Sequence, residues 1–328
     1  MKGTAKREMI FRVYSDNLDF VISRYKLKLG IDTEDGPQPL ESKVYICPLC
    51  LRAFSIDCLD QSVSNPLTLE DIPPKSVGGN PKILTCKECN NRSGQSLDIK
   101  IQDSLVTESF LRKIPKSEIQ SYISINDGEK YRALTQIEED GTIKFNLLKK
   151  QNPKVQEDLT NLTQNWEGAK INFTFTGPNK EKLLSSLRRI GLLLTFYYFG
   201  NRVLFEAAYN RIRLSILKPE LHVLPHEGFI YFPENVNVKP GIYIVTKPVE
   251  FRSYFVVFTI KIKTITKIVG FPFAGPNEDG WNCYCNYKSL SESICLTMEN
   301  ITSKELVTKE SLVDAYDYLF NNIDKYWP

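Results

Sequence analysis

The alternation of apolar and polar positions changes period along the chain, and each change marks a different kind of element. Between residues 43 and 113 the apolar runs are short: Val44, Tyr45 and Ile46, then Leu67, Thr68 and Leu69, then Ile83, Leu84 and Thr85. Each has the length and residue types of a strand. Pro73 and Pro74 exclude a helix after the second run, and Gly78 and Gly79 supply a turn before the third. Leu97, Ile101 and Leu105 then recur every four residues, which predicts one apolar stripe on a helix running to about Lys113. The local order is strand, loop, strand, helix.

Beyond residue 113 the pattern differs. YRALTQIEEDGTIKFNLL predicts a hairpin around Asp140-Gly141, residues 154–166 a polar helical stretch, and INFTFTG a strand. From Asn179 to Leu217 the period is helical. The nearly continuous apolar run Ile190 to Phe199, stopped at Gly200, predicts a buried helix at the centre of a second domain, and a second helix carries Arg211 and Arg213. After Pro219, GIYIVTK and SYFVVFTIKIKTITKIVG predict an antiparallel sheet with Lys261 and Lys263 on a wet face. The segment from Glu310 to Tyr326 has the pattern of an amphipathic closing helix. Residues 1–42 mix apolar and basic positions before the turn-rich GIDTEDGPQPLESK, and are expected to be a short element plus linker. The predicted fold class is α+β, with an N-terminal segment over 1–42, a small unit over 43–113 and a larger α+β recognition domain with buried helices and an antiparallel sheet over 114–328.

Composition adds limits rather than detail. With 42% hydrophobic and 25% charged residues the chain has the make-up of an ordinary soluble globular protein. No apolar run of signal-peptide length precedes Ser15, and the longest greasy stretch, IGLLLTFYYFG, is about half of the roughly 20 residues a bilayer span requires. A cytoplasmic location with reduced cysteines, and no membrane partner, is the expectation. The formal charge of +3 leaves the partner open. The largest local excess lies in 177–220, with eight basic and three acidic residues, and reads equally as a DNA-tracking face or a solvated helix face.

The cysteines change the picture. Cys47/Cys50 and Cys86/Cys89 are two C-x-x-C pairs separated by 35 residues. Each pair offers two thiolates from a tight turn, and four such sulfurs make a closed tetrahedral structural zinc site; a disulfide framework is the rival reading, disfavoured in a reducing compartment. Cys58 lacks a partner at metal-binding spacing, and Cys283 and Cys285, a C-x-C with Cys295 ten residues later, would need a fourth ligand for a second metal site and have none nearby, so all four read as structural thiols. Between the pairs lie the acidic neighbours Glu70 and Asp71, and Asn90 follows the last cysteine.

The order C-x-x-C, then T-x-E-x-x-P-P-K-x-x-G-G, then T-C-x-x-C-N-N resembles the zinc-bound branch of the HNH endonucleases, over roughly residues 43–113. That resemblance implies a zinc-stapled ββα-metal unit. It implies that Glu70 and Asn90 hold a catalytic divalent ion, Mg²⁺ or Mn²⁺, beside the structural zinc. At Asp71 the family has a histidine general base, and the only histidines here are His222 and His226. Asn80 is the nearest candidate for an asparagine that orients the base.

Phosphodiester hydrolysis needs a base and a metal that neutralises phosphate charge. Carboxylate and amide oxygens suit a hard cation, so Glu70, Asp71 and Asn90 are the expected catalytic set, with Asp71 as a weak base or a further ligand. Lys75, Lys82 and Arg92 are the expected nucleic-acid contacts, although residues 43–113 carry nine basic against eight acidic residues and make no strong basic field. The leading expectation is a metal-dependent DNA endonuclease, in a setting of restriction or defence against foreign DNA, with RNA as another substrate and homo-oligomerisation open. The alternative is a catalytically degenerate zinc-stapled module that binds nucleic acid or protein. In that case Glu70 and Asp71 form a solvated acidic turn.

Overall fold

A computed structural model of the chain describes residues 3–27, 30–33, 36–39, 43–147, 160–161, 167–168, 170–224, 229–233, 236–275, 278–286 and 295–302. The expected helices at 154–166 and 310–326 lie largely or wholly outside them. The described residues combine helices with antiparallel sheets, an α+β fold.

The chain forms two compact units. The first contains residues 1–99, 180–260 and 267–328, and the second 100–179 and 261–266. This division does not run at the expected boundaries, 42/43 and 113/114. Residues 1–99 share a unit with the apolar helix from the second half of the chain.

In the first unit, α1 (Gly3–Tyr25) is much longer than the short element expected at the N-terminus. Ile10, Phe11, Tyr14, Leu18 and Val21 are buried along it at spacings of one, three and four residues, a single face. Two strand pairs come first, β1 (Gly30–Thr33) with β2 (Gly36–Pro39) and β3 (Tyr45–Ile46) with β4 (Ala53–Phe54). The second pair flanks the first C-x-x-C. Next, β5 (Leu67–Ile72) pairs antiparallel with β6 (Asn80–Cys86), matching Leu67 to Cys86, Leu69 to Leu84 and Glu70 to Ile83. The turn between them needs its glycines. Gly78 has φ +91°, and a Cβ on Gly79 would lie 1.4 Å from the Pro73 carbonyl oxygen. The register shifts after Glu70, so that Asp71 faces Pro81 and Lys82 is the extra residue of a bulge.

The predicted single helix is three pieces: α2 (Lys87–Ser93), a π-helical turn (Gly94–Asp98) and α3 (Ile99–Leu111). Leu97, Ile101 and Leu105 are all buried, so the apolar stripe is present, but Leu97 belongs to the π turn rather than to α3, and no four-residue spacing announces that turn. From Lys100 onward the chain belongs to the second unit. There β7 (Glu118–Ile125), β8 (Tyr131–Ile137), β9 (Ile143–Leu147) and β10 (Ile171–Thr174) form one antiparallel sheet in the order β10-β7-β8-β9. The β8–β9 hairpin turns at Gly141, as its Asp-Gly predicts. Phe110 of α3 packs against Phe173 and Phe175 at one face.

The chain returns to the first unit as α4 (Lys180–Phe199) and α5 (Ala207–Leu217). As predicted, α4 is buried almost all round, from Leu183 to Phe196 and at Phe199. It is not the centre of a separate domain, however. It packs against β5, β6 and the π turn, and an aromatic cluster joins Tyr14 of α1, Tyr45 of β3 and Phe196 of α4. The Tyr45 hydroxyl donates to the Leu84 carbonyl of β6 at 2.7 Å, which satisfies a buried polar group. The predicted C-terminal sheet is present. It contains β11 (Ile230–Phe232), β12 (Gly241–Lys247), β13 (Tyr254–Lys261), β14 (Thr266–Phe273) and β15 (Thr297–Asn300), in the order β11-β14-β13-β12-β15, with α6 (Glu278–Asn286) between β14 and β15. No helix among the described residues is long and apolar enough to cross a membrane.

Candidate metal centre and the acidic cluster beside it

Two knuckles converge at one end of the β5–β6 hairpin. The first is tied by backbone bonds from Leu51 N–H to the Cys47 carbonyl at 2.9 Å and from Cys47 N–H to the Arg52 carbonyl at 3.0 Å, with Leu51 at φ +62°. The second spans the last residue of β6 and the first turn of α2. Their sulfurs, Cys47, Cys50, Cys86 and Cys89, all lie within 4.8 Å of one another. The Cys50 and Cys86 sulfurs are 3.8 Å apart. A tetrahedron with metal–sulfur bonds of about 2.3 Å has edges of about 3.8 Å, so the cage has the right size for a metal such as zinc.

Cys47, Cys86 and Cys89 are buried and Cys50 is half-buried. Burial pushes the Cys47 thiol well up, while hydrogen bonding from the Cys47 thiol, from Cys86 and Cys89 and from Arg52 pushes Cys50 down. Four thiols this close cannot all ionise without a cation among them. Among the described residues this is the one cluster of three or more His, Cys, Asp or Glu residues able to hold a metal. Cys58, Cys283 and Cys295 stand outside it.

The expected catalytic residues have different surroundings. Glu70 is 3% exposed, and both of its oxygens are engaged. Oε1 accepts from Arg189 Nη2 at 2.6 Å and Oε2 from the Thr85 hydroxyl at 2.8 Å. Arg189, from α4, is 1% exposed and donates through Nη1 to Asp98 Oδ1 at 2.7 Å. The guanidinium therefore bridges two carboxylates from two elements. Asp98 is displayed by the π turn, which is anchored one turn earlier on α4 by the Ser186 hydroxyl donating to the Leu97 carbonyl at 2.7 Å. Burial raises Glu70 and Asp98 above the ordinary carboxylate range, and Arg189 opposes the rise in both.

Asn90 reaches the same hairpin but not the Glu70 carboxylate. Its amide donates to the Thr68 hydroxyl at 2.9 Å and toward the Leu69 carbonyl at 3.3 Å. Asp71 is partly exposed; burial raises it, and Lys75 and Lys6 draw it back down. Glu70 and Asp71 thus stand on β5, and Asn90 bonds to the same strand. Asn80 is exposed at the far end of β6.

The expected nucleic-acid contacts also differ from one another. Lys75 is exposed on the short turn after Pro74. Lys82 is half-buried, its ammonium 5.0 Å from the Tyr197 ring centroid, and burial lowers its pKa. Arg92 is exposed and lies 3.8 Å from Glu88 one helical turn back. Of the eight basic residues in 177–220, Arg188, Arg189 and Arg213 are buried and take no part in a surface face, while Lys180, Lys182, Arg211 and Lys218 are exposed.

Sequence reasoning missed Arg189, Asp98 and Arg52. Arg52 donates from Nε to the Cys50 sulfur at 3.4 Å and from Nη2 toward the Cys86 sulfur at 3.7 Å, and pairs with Glu88. An arginine directly before the apolar run of α4, on a helix predicted to be buried, is the available signal for the first. Compared with protein-family models, with curated proteins and with solved structures, the chain matches none of them.

Proposed function

We propose that the chain is a zinc-stapled, catalytically silent relative of the HNH fold that binds nucleic acid without cutting it. One observation carries this reading: the Glu70 carboxylate, where a nuclease would hold its divalent ion, is buried and saturated by Arg189 and Thr85. A metal ion there would have to displace a guanidinium from a buried, hydrogen-bonded pair, and a phosphodiester would have to reach a residue closed to solvent. These residues do not suit a catalytic cation. Asp71, in the place of the family's histidine, adds a second departure, since an ordinary carboxylate is a poor base near neutral pH.

The four cysteines suit zinc in a structural role. All four positions of the tetrahedron are filled by thiolates, which leaves no place for water or substrate. Removing the ion would leave four thiolates crowded around a small hairpin. Lys75, Lys87 and Arg92, exposed on the hairpin turn and on α2, are the side chains assigned to phosphate contact.

Two assays on the purified, zinc-loaded protein test the proposal. Incubation with plasmid, single-stranded DNA and RNA in Mg²⁺, Mn²⁺ or Ni²⁺ should give no cleavage. Fluorescence anisotropy should show salt-dependent binding to one of these nucleic acids, weakened when Lys75, Lys87 and Arg92 are changed to Glu. Cleavage that disappears in Glu70→Ala and Asn90→Ala would establish the endonuclease instead. Absence of both cleavage and binding would leave a protein-binding module.

A further inference from the structure

We infer that Arg52 is the charge-compensating clamp of the metal centre, joining the two knuckles through one sulfur of each and setting how fast the metal is lost. The inference rests on the zinc reading above. It is independent of whether the module cuts or binds nucleic acid.

Four thiolates around one divalent ion leave two negative charges in a cage whose other three sulfurs are buried. Such an excess is costly unless a cation or N–H donors face it. Arg52 supplies both. Nε lies 3.4 Å from the Cys50 sulfur and Nη2 3.7 Å from the Cys86 sulfur, so a single planar group spans the edge between the first knuckle and the second. Those two sulfurs are themselves 3.8 Å apart, and the guanidinium offers each its own N–H donor, where an ammonium has a single nitrogen for both.

The clamp is held at both ends. The backbone of Arg52 is part of the first knuckle, its carbonyl accepting from Cys47 N–H. Its guanidinium is paired with Glu88, which sits between Cys86 and Cys89 and is held in turn by Asn65 Oδ1 at its backbone N–H, 3.0 Å away. This is the arrangement in which a carboxylate orients a group that orients a metal ligand, with arginine in the middle. Cys50 is the most exposed of the four ligands, so attack by a chelator or a proton begins there. Arg52 covers that edge, and its hydrogen bonds draw electron density off the sulfur.

Zinc transfer to a chromophoric chelator provides the test. As-purified protein is first analysed for zinc. The release rate is then measured for wild type, Arg52→Gln, Arg52→Lys and Glu88→Gln, with circular dichroism confirming that each variant is folded. Arg52→Gln should release zinc faster by roughly 10–100-fold, the usual scale for losing an outer-shell partner. Arg52→Lys, which keeps charge but not the fork, should fall between Arg52→Gln and wild type, and Glu88→Gln should show a smaller acceleration. Cobalt substitution adds a spectroscopic readout. The sulfur-to-cobalt charge-transfer band should move to longer wavelength in Arg52→Gln and part of the way back in Arg52→Lys.

A folded, zinc-loaded Arg52→Gln with wild-type release and an unmoved cobalt band would overturn the inference. If Arg52→Gln does not fold, the inference stands or falls on Arg52→Lys and Glu88→Gln by the same measures. Wild-type protein that contains no zinc and shows no sulfur-to-cobalt band would overturn the zinc reading itself, which is a different failure.

Discussion

Arg189 Nη2 lies 2.6 Å from Glu70 Oε1, joining residues 119 positions apart in the chain, and both side chains are almost wholly buried. The same guanidinium holds Asp98, so one helix of the C-terminal half secures both the end of β5 and the π turn. Removing one partner of a buried pair leaves an unpaired charge, whereas replacing both with apolar groups is far milder.

Arg189→Met should therefore lower stability by about 3–5 kcal/mol in urea titration. The triple variant Arg189→Met, Glu70→Leu, Asp98→Leu should recover a substantial part of that loss. A single variant as stable as wild type would mean that the network holds nothing together.

Removal of the metal should cost the first unit its tertiary structure. Cys86→Ser is expected to lose stoichiometric metal and the cooperative thermal transition of that unit, while Cys58→Ser and Cys295→Ser retain both. Elemental analysis together with near-UV circular dichroism reads the two effects side by side.

Fragment 114–328 should not fold as the full chain does. It keeps α4 but lacks Glu70, Asp98, Tyr14 and Tyr45, which face Arg189 and Phe196 in the first unit. The expected result is a fragment without a cooperative unfolding transition. A native-like transition in it would show that the contacts with residues 1–99 are dispensable.

Burial holds Glu70 and Asp98 above the ordinary carboxylate range, with Arg189 only partly opposing it. The folded state then binds these protons more tightly than the unfolded chain does. The resulting stabilisation is complete below the unfolded value and is lost as pH rises through the folded value. With zinc kept saturating, wild-type stability should fall relative to Asp98→Asn as pH rises from the ordinary carboxylate value through the raised one. Denaturation midpoints across that window check the sign, and a relative rise would contradict it.

Local patterns were legible in the sequence because local physics determines them. The C-x-x-C spacing brings two sulfurs together within each knuckle, the proline and glycine pairs place the turn, and the four-residue apolar repeat marks the face that Leu97, Ile101 and Leu105 bury. Period likewise disclosed the α4 helix and the C-terminal sheet. What a carboxylate does depends on its neighbours in space, which no local spacing encodes. Glu70 reads as a metal ligand from its motif, yet its partner arrives from 119 residues away, and Asp98 meets the same partner from a π turn that the predicted helix did not contain. Domain limits followed the same rule. The apolar run of α4 signalled burial, while the surface that buries it, residues 1–99 rather than a separate domain, was decided by tertiary packing.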